Sequence, residues 1–280
     1  MAVTNESDTF DIGGEDTVHR LGFGAMRITG DRIIGDPPDR EVAAAVLEEA
    51  VDYGVDLIDT ADSYGPGVSE TLIGQTLGDP EDVVVATKGG LLRGRDGDWL
   101  PLGDPDYLED AVLSSLDRLR TDEIDLYQFH RPDPETPFED SVARLAELKD
   151  AGLVRHVGLS NVSVEQLETA RDIVEVATVQ NRYNLDDRGS ADVLAACEDA
   201  GIGFIPWRPL GLGDDEAAAV AAEVADAHDA TPRQVALAWL LGHSPVTLPI
   251  PGTGDPAHLE SNVAASALEL SDDELARLTG

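Results

Sequence analysis

The sequence predicts an α/β fold, a (β/α)8 TIM barrel with an N-terminal β-hairpin. Eight short apolar runs of three to seven residues alternate with segments of helical period. A parallel sheet closed on itself and ringed by helices is the economical way to bury both faces of such strands. Each run ends on glycine, a polar or an aromatic residue, as expected where the loops at the C-terminal ends of barrel strands build a site. No G-x-G-x-x-G joins a strand to a helix, which disfavours an open doubly wound sheet. No linker, low-complexity tract or composition break interrupts residues 1–280, so one domain is expected.

Thr9 to Arg20 alternates around Gly13-Gly14 and reads as the hairpin. Leu21-Gly22-Phe23-Gly24 is the first barrel strand, and its last glycine suits either a bare turn or close approach of a ligand to the backbone. After Pro37-Pro38 the period becomes helical, with Val42, Val46, Leu47 and Ala50 on one face and Gly54 beyond the end. A strand over Leu57 to Asp59, a helix over Ser69 to Leu77 and a strand over Val83 to Lys88 follow, then a glycine-rich loop from Gly89 to Gly103. Helices over Asp104 to Leu119, Pro137 to Ala151, Ser163 to Asp172 and Ala191 to Ala200 then alternate with strands. Those strands cover Ile124 to Phe129, Val154 to Leu159, Ala177 to Val179 and Gly203 to Pro206. Helical stretches over Asp215 to His228 and Thr231 to Leu241 precede the last strand, Val246 to Ile250. Helices over Pro256 to Ala265 and Ser271 to Leu278 complete the order.

Composition narrows the function. Hydrophobic residues make up 42% of the 280, so the chain is globular despite a formal net charge of -37. With 56 acidic against 19 basic residues, nucleic acid and anionic membranes are excluded as partners, since either would be repelled. The acid is spread along the chain and reads as a solvated surface. An acidic, lysine-poor composition resembles proteins of salt-accumulating archaea, where dense counter-ions screen self-repulsion, and a halophilic protein that needs molar salt is expected. Cys197 is the only cysteine, so no disulfide forms within the chain, which fits a reducing cytoplasm. The residues from Met1 to Asp8 lack the basic region and apolar core of a secretory signal. No apolar run approaches the ~20 residues that span a bilayer. A soluble cytoplasmic protein is expected, as a monomer or small homo-oligomer.

The chemistry gathers around Leu57-Ile58-Asp59-Thr60-Ala61-Asp62-Ser63-Tyr64-Gly65. A carboxylate at the end of an apolar strand needs a partner, because an unpaired buried charge costs several kcal/mol. Lys88 ends the next strand and is one of two lysines, the other being Lys149. An ammonium beside Tyr64 would lower the phenol from its usual ~10 and bring it into range as a proton donor. Asp59 would hold Lys88, and His130, at the end of the following strand, would orient the substrate oxygen. Each alone has a bland reading, such as a structural ion pair or a hydrogen-bonded histidine, but together they form an acid set with no nucleophile. Trp207 offers a flat face for stacking a ring, and Asn161 and Gln180 suit an amide.

With those residues in place, the chain resembles the aldo-keto reductases. Asp59 and Tyr64 stand in Asp-Thr-Ala-Asp-Ser-Tyr-Gly, Lys88 in Ala-Thr-Lys-Gly-Gly, and His130 in Tyr-Gln-Phe-His-Arg-Pro-Asp. Gly158-Leu159-Ser160-Asn161, Gln180-Asn181-Arg182-Tyr183-Asn184, Trp207-Arg208-Pro209-Leu210-Gly211 and Ile250-Pro251-Gly252-Thr253 with Asn262 match further motifs, so the likeness spans nearly the whole chain. The resemblance implies reduction of aldehydes and ketones by NADP(H), with NAD(H) as the alternative cofactor and Asp59, Tyr64, Lys88 and His130 as the catalytic set. It implies that Trp207 stacks on the nicotinamide while Ser160, Asn161 and Gln180 hold its carboxamide. Gly24, Met26, Arg208 and Leu210 join the cofactor set, and Gly252, Thr253, His258 and Asn262 take the adenosine end.

Three departures bear on specificity. Many members carry Lys at the position of Gly252 and Arg at that of His258, where they grip a 2′-phosphate; Thr253, the following helix N-terminus and Arg208 are left to do so here. Met26 and Arg131 replace bulky aromatics, and no long C-terminal loop follows Leu278, so an open pocket for polar aldehydes is expected. The run Ile33 to Arg40 resembles the pyridoxal reductase branch, although that branch lacks the histidine kept here as His130, and pyridoxal becomes a candidate substrate. Two other readings compete. A metal-dependent barrel hydrolase would use Asp59, Asp62 and Glu70, but Gly22-Phe23-Gly24 stands where such enzymes carry His-x-His, and no metal is expected. A nicotinamide-binding subunit that senses redox state without turnover would not need all four of Asp59, Tyr64, Lys88 and His130.

Overall fold

The hairpin forms as expected in the computed structural model, which describes residues 3–213 and 216–280. Its strands β1 (Thr9–Ile12) and β2 (Asp16–His19) pair antiparallel. The parallel sheet is built from β3 (Phe23–Gly24), β4 (Leu57–Asp59), β5 (Val84–Gly89), β8 (Ile124–Phe129), β9 (Val154–Ser160), β10 (Val176–Gln180) and β11 (Gly203–Phe204). Those strands lie side by side in chain order, from β3 to β11, every neighbouring pair parallel. Two more strands, β6 (Leu91–Arg93) and β7 (Trp99–Pro101), make a second antiparallel hairpin inside the stretch expected to be loop. At three residues per strand, it is too short for a period to show in the sequence.

Helices connect the strands: α1 (Arg40–Asp52), α2 (Val68–Thr76), α3 (Pro105–Leu119), α4 (Phe138–Asp150), α5 (Val164–Arg171) and α6 (Ala191–Ala200), then α7 (Glu216–Ala227), α8 (Pro232–His243), α9 (Pro256–Ala264) and α10 (Asp272–Thr279). Their starts are chemically marked. Asp39 and Asp104 accept from backbone N–H groups of the first turns of α1 and α3, and Ser163, Thr231 and Ser271 close capping boxes on α5, α8 and α10. The expected start of α7 at Asp215 lies outside the described residues. On α1 the buried stripe is Ala43, Val46, Leu47 and Ala50. Val42, expected on that face, is 42% exposed, because in the first turn it falls to the solvent side of the stripe.

The expected eighth strand differs most. Residues 246–250 form no strand, because Pro249 and Pro251 have no N–H to give to a ladder. The segment still touches both edges of the sheet. Leu248 N–H donates to Phe204 O and Phe204 N–H to Val246 O, both at 2.8 Å. On the other side Gly22 N–H reaches Pro249 O at 3.0 Å and Gly24 N–H reaches Pro251 O at 3.3 Å. Glycine is required here, since a Cβ on Gly24 would lie 2.7 Å from Ile250 O and one on Gly252 2.6 Å from Gly24 O. The need for glycine at Gly24 thus comes from close packing of one backbone on another, a third reason beside the bare turn and the ligand approach expected from sequence.

Alternation along the strands separates two cores. One set, with Ile58, Val85, Tyr127, Phe129, Val157 and Val179, packs against the helices. The other, with Leu57, Val84, Ala86, Leu126, Ala177, Ile205, Leu248 and Ile250, faces inward and is continued by Ile12 and Val18 of the hairpin. The hairpin therefore plugs the N-terminal end of the sheet and leaves the C-terminal end for polar residues. Cys197 is a free thiol packed in the outer core, and burial pushes it up to about 12, as suits an inert core residue.

Candidate active site

Two residues further along each inward row, the side chains turn polar: Leu57 is followed by Asp59, Ala86 by Lys88, and Leu126 by Gln128 and His130. The sheet register sets Gly24 beside Asp59 and Lys88 beside Gln128. Lys88 is fully buried; its Nζ donates to Asp59 Oδ1 at 2.6 Å and to Thr60 O at 2.7 Å. The ammonium also lies 5.3 Å from the centre of the Tyr64 ring. His130 meets the Tyr64 ring edge to face at 6.1 Å, and Ser63 Oγ lies 3.5 Å from His130 Nδ1. Asp59, Tyr64, Lys88 and His130 are thus brought together at one end of the sheet, as the sequence predicts.

Burial decides the electrostatics. Burial pushes the Tyr64 phenol above its usual value, and Lys88, though it pulls the other way, does not overcome it. This corrects the expected direction: the phenol is held protonated. For Lys88, burial favours the neutral amine, but Asp59 and Tyr64 together hold the ammonium above its ordinary value. Burial, then Lys88 and Arg131, keep His130 well below the usual imidazole range, so it is neutral. Behind this set, burial and Glu70 raise Asp62 to about 7. Its Oδ2 accepts from Tyr107 at 3.1 Å while its Oδ1 is shut away without a partner. Glu70 is turned instead to Thr87 and Arg118, both at 2.6 Å, and Asp59 to Lys88, so the three carboxylates of the metal reading have separate partners.

The residues expected around a cofactor lie on neighbouring strand ends. Ser160 ends β9 and Gln180 ends β10; both are buried. Asn161 takes a left-handed φ of 59° and is heavily committed. Its Nδ2 donates to His130 O and Ser160 Oγ, and its Oδ1 accepts from Trp207 Nε1 at 3.1 Å. It therefore fixes the plane of Trp207. Ser160 Oγ donates to Gln180 O at 2.8 Å. Arg208 is exposed at a φ of 56°, and Leu210 is half-buried against Leu21, Leu237 and Ala265. Thr253 and Asn262 are buried, Met26 and Gly252 half-buried, and His258 is exposed on α9.

The sequence profile of the aldo/keto reductase family matches residues 20–280. This chain belongs to the aldo/keto reductase family. Among its relatives, an uncharacterized oxidoreductase of Schizosaccharomyces pombe is 45% identical over 269 residues, covering 95% of this chain and 87% of the relative. Pyridoxine 4-dehydrogenase of Escherichia coli is 42% identical over 282 residues, covering 98% of each. An aldo-keto reductase of Klebsiella pneumoniae, solved in complex with NADPH, superposes with a TM-score of 0.80 at 28% identity, covering 97% of this chain and 94% of that one.

In this aldo/keto reductase two residues at the site were not singled out in the sequence. Trp99, on β7, sets its ring 6.5 Å from that of Tyr64 and 6.4 Å from that of His130, and Arg93 stacks on it at 3.7 Å. Only the pairing of β6 with β7 puts it there, and nothing local announces that. Gln128 is fully buried beside Asp59. An amide in an otherwise apolar inner row, two residues before His130, is a signal that could have found it.

Proposed function

We propose that this protein is an NADPH-dependent reductase of aldehydes and ketones, with Asp59, Tyr64, Lys88 and His130 as its catalytic set. The observation that carries the reading is the buried Asp59–Lys88 pair set against a protonated Tyr64 and a neutral His130. The donor set fits a nicotinamide: Gln180 keeps Oε1 free of any hydrogen bond among the described residues, and Trp207 is pinned by Asn161. The bound cofactor would supply a hydride to the carbonyl carbon. His130 orients the carbonyl oxygen, Tyr64 gives it a proton, and the Lys88 ammonium stabilises the phenolate left behind. Asp59 holds that ammonium in place and keeps it charged.

NADPH is favoured over NADH by the cofactor bound in the Klebsiella relative, although Gly252 and His258 supply no fixed cation. The name of the Escherichia coli relative makes pyridoxal the first aldehyde to try. The lone buried cysteine fits a reducing compartment, and no described helix is long and apolar enough to cross a membrane. Nothing in the site favours a sensing subunit without turnover. The test follows oxidation of NADPH and of NADH in molar KCl over a panel including pyridoxal, for wild type, Tyr64→Phe and Lys88→Met. Turnover lost in both variants with NADPH still bound supports the reading, and robust turnover in Tyr64→Phe refutes the proton donor. Simple aldehydes reduced while pyridoxal is not would remove pyridoxal.

A further inference from the structure

Asp59, Gln128 and Gln180 close a ring of hydrogen bonds in the floor of the site. Asp59 Oδ2 accepts from Gln128 Nε2 at 3.1 Å and from Gln180 Nε2 at 2.7 Å. Gln180 Nε2 turns its second proton to Gln128 Oε1 at 3.3 Å. All three side chains are buried. An ionised carboxylate only accepts, so Asp59 obliges both amides to turn their –NH2 groups inward. The carbonyl of Gln128 then faces Gln180 and takes the remaining proton. Gln180 is left with both N–H groups used and Oε1 as its one free polar atom. The same ring that steadies Asp59 thus converts a two-sided amide into a pure acceptor.

We propose that Gln128 is a positioning residue that, with Asp59, locks the amide of Gln180 so that the site offers a lone acceptor to the –NH2 of the nicotinamide carboxamide. The proposal rests on the reading above, in which Gln180 meets that carboxamide. Space for Gln128 is built into the sheet. It lies between Lys88 and Gly158 in the ladder, and a Cβ on Gly158 would come 2.8 Å from Gln128 Cγ and 2.5 Å from Thr178 Oγ1. Without Gln128, one N–H of Gln180 loses its acceptor. The amide then pivots on its single remaining bond to Asp59 and no longer presents one fixed face.

The test compares the oxidised cofactor with its 3-acetylpyridine analogue, which keeps the carbonyl but has a methyl group where the carboxamide has –NH2. Wild type is expected to bind the carboxamide form about tenfold more tightly, the value of one well-placed hydrogen bond. Gln128→Leu is expected to cut that ratio to about threefold or less, an effect that mere loosening of the fold would not produce, since both ligands share every other group. Gln128→Glu serves if the leucine variant does not fold. When protonated it donates to Asp59 and accepts from Gln180, so the ratio stays near that of wild type at acidic pH, and it falls as the shared proton leaves. A full ratio in Gln128→Leu, or one in Gln128→Glu that ignores pH, overturns the proposal. Gln180→Leu separates the two levels: discrimination that survives there as well overturns the placement of the carboxamide itself.

Discussion

Replacing Lys88 by methionine strips the Asp59 carboxylate of its one charged partner among the described residues while filling most of the same volume. At 2.6 Å and an effective dielectric of ~20, the pair attracts by roughly 6 kcal/mol, against desolvation of several kcal/mol for each ion. Breaking a buried pair from one side usually costs about 3–5 kcal/mol, because the remaining charge stays buried. Asp59 Oδ2 keeps the amides of Gln128 and Gln180, which places the loss near the low end, at about 3 kcal/mol. For a chain of this size that is a fall of roughly 5 °C in the thermal midpoint. Adding Asp59→Asn removes the stranded charge and should restore most of the midpoint while turnover stays lost. Both partners are shut off from solvent, so the difference between wild type and Lys88→Met should not change with KCl. The assay is a set of thermal melts followed by circular dichroism at several salt concentrations, with turnover measured beside them. A fall of less than about 2 °C, or one that fades as salt rises, would refute a buried, ionised pair.

Tyr64→Phe removes one hydroxyl and leaves the ring against Trp99 and His130, so turnover should fall by roughly 10²–10⁴ with NADPH affinity unchanged. With His130 held well below its ordinary range, the pH profile of kcat/KM should show no imidazole limb near neutrality; a limb that disappears in His130→Gln would contradict this. Asp62 is raised from 3.8 to about 7, so the folded protein keeps a proton that the unfolded chain has released, and stability falls as pH rises from ~4 to ~7, by roughly 4 kcal/mol. Asp62→Asn should therefore melt above wild type at alkaline pH and level with it near pH ~4, and an equal gap at both ends would count against it. The formal charge of -37 predicts a midpoint that climbs steeply from dilute buffer to molar KCl, and full stability in dilute buffer would end the halophilic reading.

Most of the fold and the four central residues were legible because strands buried on both faces read as short continuous apolar runs between segments of helical period. A charge at the end of such a row, as at Asp59 or Lys88, stands out by its chemistry alone. The eighth strand was misread because Val246 to Ile250 is apolar enough to be one, while the two prolines that spoil its ladder act through hydrogen bonding, which hydrophobicity does not record. Trp99 was missed because its place depends on pairing across a turn of polar and glycine residues. The acidity of Tyr64 was misjudged for a different reason: the partner, Lys88, can be named from sequence, but the depth of burial that outweighs it cannot.

The stretch where Gly22 and Gly24 meet Pro249 and Pro251 has a mechanical meaning. The wall between β8 and β9 is knitted by a long ladder, but here it is basted with a few stitches, and two of the four residues have no N–H to contribute. This joint is the natural place for the wall to breathe, and amide exchange can witness it at Gly22 and Gly24. Gly24 lies on one side of the joint and Gly252 and Thr253 on the other, the very residues expected to meet the cofactor. A ligand that bridged them would act as a staple, slowing exchange there in proportion to its occupancy. The empty enzyme would then be the one that proteases find first.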